Sequence, residues 1–269
     1  MDRRTREHHL AEVWERLGEV TDPELDEPVT ELGFVERVDV DAAGVVEVDF
    51  RLPTYWCAAN FAFLMVDDIR IAVEGADWVK GVKPKLQDHM YADEVNRGVG
   101  DALSFKDAFG KLASDGTLDD VRKKFRIKAF QRRQEMVLRA LRRQGFDDAS
   151  LVEMDLGTLE ALSIEDEEGT RQKPRYLRIL REFGCAPEPG APAFVTPDGD
   201  RITAAAFQKH MEELRGVRIN MEFNGAICRG LLSTRYKEAK LDGEEPTLVD
   251  FIHGNVPARA RARSPADAE

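Results

Sequence analysis

The stretch FRLPTYWCAANFAFLMV, residues 50–66, changes periodicity halfway along. Val46, Val48, Phe50 and Leu52 lead into it at every second position, the pattern of a strand with one buried face. Pro53 lacks the N–H that a ladder needs, so the strand ends there. From about Cys57 to Val73 the apolar residues follow helical spacing. Cys57 therefore falls at a strand-to-helix junction. A helix N-terminus carries unsatisfied N–H groups and partial positive charge, both of which favour a thiolate. With Thr54 as the expected N-cap, Cys57 lies in the first turn. Two readings follow: a displayed thiol of lowered pKa, or a buried structural cysteine.

Working outward, residues 7–20 read as an amphipathic helix, with Leu10, Val13, Trp14, Leu17 and Val20 at spacings of three and four. It stops at TDPE, where Pro23 disfavours helical backbone at Asp22. VERVDVDAAGVVEVDFRL reads as a hairpin turning at DAAG, and DWVKGVKPKL as a further strand. Residues 1–96 thus predict an α+β domain of two layers, helices on a three-to-four-stranded sheet.

Residues 97–185 read as a helical connector. Its strongest element spans about 120–144, with Phe130, Val137, Leu138 and Leu141 as its stripe and Gly145 as its stop. The basic run from Arg122 to Arg143 has two readings, a face for an acidic partner or RNA and, the commoner case, a solvated face paired with local acids. CAPEPGAPA marks a boundary, and residues 186–255 read as a small α+β unit. Within it FVTPDGDRI is a hairpin, AAAFQKHMEEL a helix, and VRINMEFNG a strand in which Val217, Ile219, Met221 and Phe223 alternate. Residues 256–269, VPARARARSPADAE, hold too little apolar material to fold and read as a disordered tail.

The net charge of −12 argues against a protein whose main task is gripping a phosphate backbone, so nucleic acid is not an expected partner. No run of about 18 apolar residues exists, and no membrane partner is expected. MDRRTREHHL lacks the apolar centre of a secretory signal. Cys57, Cys185 and Cys228 lie too far apart for a disulfide framework or a CxxC zinc pattern, so a reducing cytoplasm is the expected compartment. Neither a phosphate-binding GxxxxGK[ST] loop nor a GxSxG elbow is present.

Three further groups bear weighing. In DHMYADE, His89 and Asp93 are four apart; on a helix they share a face that either holds a metal or is simply solvated. Cys228, in NGAICRG, is expected in or beside a strand after a Gly225 bulge, either as a second metal ligand or as packing. His210 is expected to serve packing, and Cys185 sits at a helix end whose dipole disfavours a thiolate.

VTDPELDEPVTELGFVERVDVDAAGVVEVDFRLPTYWC, residues 20–57, resembles the SufT/PaaD-type metal–sulfur cluster biosynthesis (iron–sulfur assembly) domain family. The matching pattern is a leading helix, the turn Asp22-Pro23-Glu24, the segment Leu32-Gly33-Phe34-Val35, a hairpin, and then Cys57. The likeness covers residues 7–90. It departs at Pro53, where the family has threonine (Thr54 is shifted by one), and at Ala58, where the family has proline. The resemblance implies an iron–sulfur assembly-like fold. It implies a non-enzymatic maturation factor that assembles or delivers iron or an iron–sulfur cluster, held transiently, to a client metalloprotein. Cys57 is then the metal or cluster contact, with Asp22, Glu24 and Thr54 beside it. One thiolate does not complete a tetrahedral site. The rest would come from a second Cys57 in a homodimer, from carboxylates such as Asp22 and Glu24, or from the client. The long C-terminal extension implies a dedicated client, with a metal-containing oxygenase as the expectation. The alternatives are a chaperone or scaffold that binds no metal, and a thiol enzyme using Cys57 as nucleophile, against which no histidine stands nearby in sequence.

Overall fold

The computed structural model describes residues 1–110, 117–185 and 188–235. The chain divides into two compact units, residues 1–122 with 223–269, and residues 123–222.

In the first unit, α1 (Arg3–Leu17) is capped by Asp2, whose side chain accepts from Thr5 N at 2.9 Å. It buries Leu10, Val13 and Leu17, as its spacing predicts. β1 (Val35–Val40) and β2 (Val45–Arg51) pair antiparallel, with Val38 opposite Val48 and Val40 opposite Val46. Their turn needs Gly44, at φ +84°, because a Cβ there would lie 2.9 Å from the Trp78 carbonyl oxygen. After β2 the chain crosses over through α2 (Ala59–Glu74) and returns as β3 (Gly81–Gln87), parallel to β2, giving the order β1-β2-β3. Val46, Val48, Phe50 and Leu52 are buried, and α2 adds Phe63, Met65, Val66, Ile69 and Val73 to the same core. Each such side chain contributes roughly 1.5–3 kcal/mol on leaving water.

β3 is an edge strand. Lys83 and Lys85 on it are exposed, and Pro84 sits opposite Val48. α3 (Ala92–Gly100) lies along it: the Asn96 amide accepts from Leu86 N at 2.8 Å and donates to Leu86 O at 3.0 Å. Gly98 lets α3 approach Phe63 and the short α4 (Phe105–Phe109), since a Cβ there would fall 2.6 Å from that of Ala108. The expected α+β layers are present within residues 1–96 as three strands with α1, α2 and the start of α3.

The second unit is helical. It holds α5 (Leu118–Arg143) from Lys123 onward, α6 (Asp148–Glu153), α7 (Leu156–Ala161), α8 (Glu167–Glu182) and α9 (Ala204–Arg235) as far as Glu222. Asp147, Asp155 and Asp166 cap α6, α7 and α8 through backbone N–H groups three residues on. Phe130, Val137, Leu138 and Leu141 enter the core as predicted. A polar network runs through that core. The Gln134 amide donates to Tyr176 Oη and to Val195 O, both at 2.9 Å, and its oxygen meets His210 Nε2 at 2.6 Å. Tyr176 Oη donates onward to Ala193 O at 2.8 Å. Burial lowers the His210 pKa, so the neutral ring donates through Nε2.

Three local expectations are corrected. Residues 217–223 are not a strand but part of α9. Their alternation misleads, because Ile219 and Phe223 are exposed while Phe207, Met211, Leu214 and Met221 keep the helical period inward. FVTPDGDRI is a turn closed by one bridge, Val195 to Arg201, with Thr196 N donating to Asp200 O at 2.9 Å. The basic run on α5 is not wholly solvated: Arg132 and Arg133 are buried, Arg133 donating to Arg175 O at 3.1 Å. Its outer members do pair with acids, Arg126 with Glu182 and Arg142 with Asp148. Of residues 186–255, those described hold the turn and α9; residues 236–255 and the expected tail at 256–269 lie outside the described residues.

Candidate functional site

The loop between β2 and α2 carries Thr54, Tyr55, Trp56 and Cys57. α2 begins at Ala59 with Ala58 as its cap residue, so Cys57 stands just before the helix rather than in its first turn. Thr54 does not cap. Its hydroxyl lies 3.0 Å from Cys57 Sγ, a direct hydrogen bond to the sulfur. The one-residue shift of threonine relative to the family pattern thus still puts a hydroxyl on the thiol.

The loop is braced from outside. Tyr91 N donates to His89 Nδ1 at 3.2 Å, which leaves the proton on Nε2, and Nε2 donates to Cys57 O at 2.8 Å. Burial lowers the His89 pKa and holds that neutral tautomer. Both ring nitrogens are thereby engaged. His89 precedes α3 while Asp93 is exposed in its first turn, so the two do not share a helix face. Met90 N donates to Tyr55 O at 2.9 Å, a second clamp. Arg51 ties the loop base to Glu36 at 2.8 Å and Asp88 at 3.0 Å. Tyr55 and Trp56 project outward, 50% and 72% exposed; they do not cover the core.

Asp22 is buried in the turn after α1, where its Oδ1 accepts from Glu24 N at 2.8 Å and Leu25 N at 2.9 Å. This is a carboxylate organising its own turn. Burial pushes its pKa up to about 6, the two N–H bonds opposing and nearby Glu24 and Glu27 adding.

The C-terminal part of α9, from Phe223, belongs to this unit. Asn224 donates to Glu24 Oε1 at 3.4 Å, Arg229 pairs with Glu27 at 2.6 Å, and Arg235 donates to Asp88 O at 2.7 Å and Leu52 O at 3.4 Å. Cys228 lies within this helix, not on a strand, half buried against the core that Cys57 also packs on. Burial pushes the Cys228 thiol up to about 12, with the charges of Asp22, Cys57 and Glu24 adding and Arg229 opposing. Sequence reasoning missed the anchors Asn224, Arg229 and Arg235; helical spacing from Asn224 through Cys228 was the available signal.

Cys57 offers one thiol sulfur, a donor type that iron and clusters accept, with the Thr54 hydroxyl upon it. Among the described residues, no group of three or more His, Cys, Asp or Glu is arranged to hold a metal ion, so the set present is incomplete. Nor, among them, is any helix long and apolar enough to cross a membrane.

A family model described as "Iron-sulfur cluster assembly protein" matches residues 10–83. That range includes Asp22, Glu24, Thr54 and Cys57 and excludes His89 and Cys228. A curated relative, an "Fe-S protein maturation auxiliary factor" of Porphyromonas gingivalis, is 41% identical over 70 residues, which is 26% of this chain and 65% of the relative. The chain thus spans slightly less than two thirds of that relative's length. No solved structure matches. Together the two matches support an iron–sulfur cluster assembly segment, at residues 10–83 in the family model.

Proposed function

We propose that this protein is an accessory maturation factor that assembles or delivers iron or an iron–sulfur cluster to a client metalloprotein, with Cys57 as the point of contact. The observation that carries the reading is the presentation of Cys57. It is half exposed, hydrogen-bonded through sulfur to Thr54, and held by His89 through its backbone, on a loop whose neighbours Tyr55 and Trp56 face outward. A braced loop presents one sulfur in one place without enclosing it, which suits transfer better than storage. The donors that complete the coordination come from the client or from a second copy. The extension marks a dedicated client, of which a metal-containing oxygenase is the first to try. The work is done where thiols stay reduced, as in a cytoplasm. No turnover chemistry is assigned, since the imidazole nearest Cys57 faces its carbonyl oxygen and not its sulfur.

Anaerobic reconstitution with ferrous iron and sulfide, followed by transfer to an apo-ferredoxin, tests this. Wild type should acquire and pass on the chromophore, and Cys57→Ala should do neither. Equal uptake by both proteins overturns the assignment. The exposure of Trp56 favours one other reading, a scaffold that grips its client by aromatic contact alone. That reading wins if neither protein takes up iron and both capture the same client.

A further inference from the structure

We propose that the second unit binds a small phosphate ester in the arginine-lined cavity between α5 and α9. The site is separate from Cys57 and does not rest on the function proposed above.

The cavity offers about 310 Å³, at the lower end of the range in which proteins hold small organic ligands. Two helical stripes form it. On α5, Glu135, Arg139 and Arg142 follow at spacings of four and three; on α9, Gln208, Met211, Arg215 and Arg218 follow at three and four. Four guanidiniums therefore meet at one depression in a chain whose net charge is −12. Two of them are already committed. Arg218 Nε lies 2.8 Å from the buried Glu135 Oε2, and its Nη1 donates to Glu222 at 2.6 Å. Arg142 donates to Asp148 at 2.7 Å and lies over the Phe207 ring, 5.4 Å from its centroid. The second carboxylate of the lining, Glu212, accepts from Gln208 Nε2 at 3.0 Å. Met211, almost wholly buried, gives the cavity an apolar surface.

Arg139 and Arg215 differ from these. Both are exposed, one on each helix, and neither has a hydrogen-bond or carboxylate partner among the described residues. Two like charges at one cavity cost free energy that an anion between them removes. Each guanidinium presents a planar fork of N–H donors, and forks arriving from two helices call for acceptors in more than one plane. A carboxylate has two coplanar oxygens and is satisfied by one fork. A phosphate monoester has three acceptor oxygens in a tetrahedral arrangement and close to two negative charges, so it serves both. Its organic part then lies on Met211 within reach of Gln208, and the volume limits that part to about the size of a sugar. Binding makes and breaks no covalent bond.

Ribose 5-phosphate is the probe. Titrated into the full chain in a calorimeter at low salt, it should bind one site per molecule and shield Arg139 and Arg215 from phenylglyoxal in peptide maps. Ribose should do neither, and inorganic phosphate should compete more weakly because it leaves Met211 uncovered. Arg139→Gln and Arg215→Gln should each weaken binding at least about tenfold, the loss of one charge-assisted contact. Lys209→Gln removes the same charge from α9 outside the cavity and should change nothing. Equal weakening by all three variants would reduce the attraction to net charge and overturn the site. Absence of binding, shielding of other arginines instead, or equal shielding by succinate overturns the phosphate ester. Shielding by a glutamate-rich peptide and not by the probe overturns it too, in favour of a docking face. Cys57→Ala should bind the probe as wild type does, so failure of this site and failure of iron handling are read separately.

Discussion

The two units place their polar groups in opposite ways. The first buries an apolar core between sheet and helices and gathers its sulfur, imidazole and carboxylates around the loops at one end of the sheet. The second threads polar groups through its centre, where Gln134 joins Tyr176, His210 and the Val195 carbonyl, and Tyr176 reaches on to the Ala193 carbonyl. Polar atoms at an edge remain available for chemistry. Polar atoms locked inside serve to choose one helix packing over others, because each misregistration leaves a buried donor or acceptor unpaired.

The sharpest way to break this contrast is Gln134→Leu. It strands Tyr176, His210 and the Val195 carbonyl at once, and should cost roughly 4 kcal/mol, concentrated in the second unit. Hydrogen exchange would show lost protection there with the sheet of the first unit unaffected; uniform loss across both would dissolve the distinction.

Next in size is the pH response of Asp22. Its folded pKa of about 6 stands above the ordinary 3.8, so the folded state holds the proton more tightly than the unfolded chain. The stabilisation this gives is complete below about pH 4 and is lost as pH rises through about 6. Asp22→Asn keeps the acceptor oxygen of the turn and cannot ionise. Relative to that variant, wild type should lose about 3 kcal/mol between acid and neutral pH, read by denaturant titration. A constant gap would mean the carboxylate is not desolvated.

A smaller effect is expected of His89→Phe, which removes the brace on the Cys57 carbonyl. About 1 kcal/mol of stability should go, and alkylation of Cys57 should accelerate severalfold as the loop loosens. An unchanged alkylation rate would show that the Met90 clamp suffices. Smallest is Trp56→Ala. With so much of its ring in water, its loss should shift stability by no more than about 0.5 kcal/mol, and a larger drop would make the ring part of the core.

How much of this could be read from the chain alone follows the same division. The hairpin strands, found at Val35–Val40 and Val45–Arg51, the crossover helix and the junction at Cys57 are local patterns, and all are present. The partners of those patterns are not local. His89 meets Cys57 across 32 positions, and Arg235 meets Leu52 across 183. Nothing in the spacing of DHMYADE says that His89 will turn back to a carbonyl rather than join Asp93 on a helix. Thr54 looked like a cap because it stands near a helix start; the helix began two residues past Cys57, and the hydroxyl found the sulfur instead. In α9 a chance alternation of Val217, Ile219, Met221 and Phe223 imitated a strand, while Phe207, Met211 and Leu214 upstream already carried the helical period through it. Arg132 and Arg133 read as solvated because charge is a poor guide to burial when backbone acceptors are within reach.

The outer side of β3 has a consequence for how anything can join this sheet. Alternate residues of a parallel strand turn both backbone groups the same way, so those facing away from β2 include Leu86 and Pro84. The first is already satisfied by the Asn96 amide and the second has no proton to give. Lysines stand on either side of the proline. An incoming extended peptide therefore finds no continuous ladder to zip onto, and neither does another copy of the same strand. Fibril-like stacking is blocked along that border, and a visitor is left to be received by side chains.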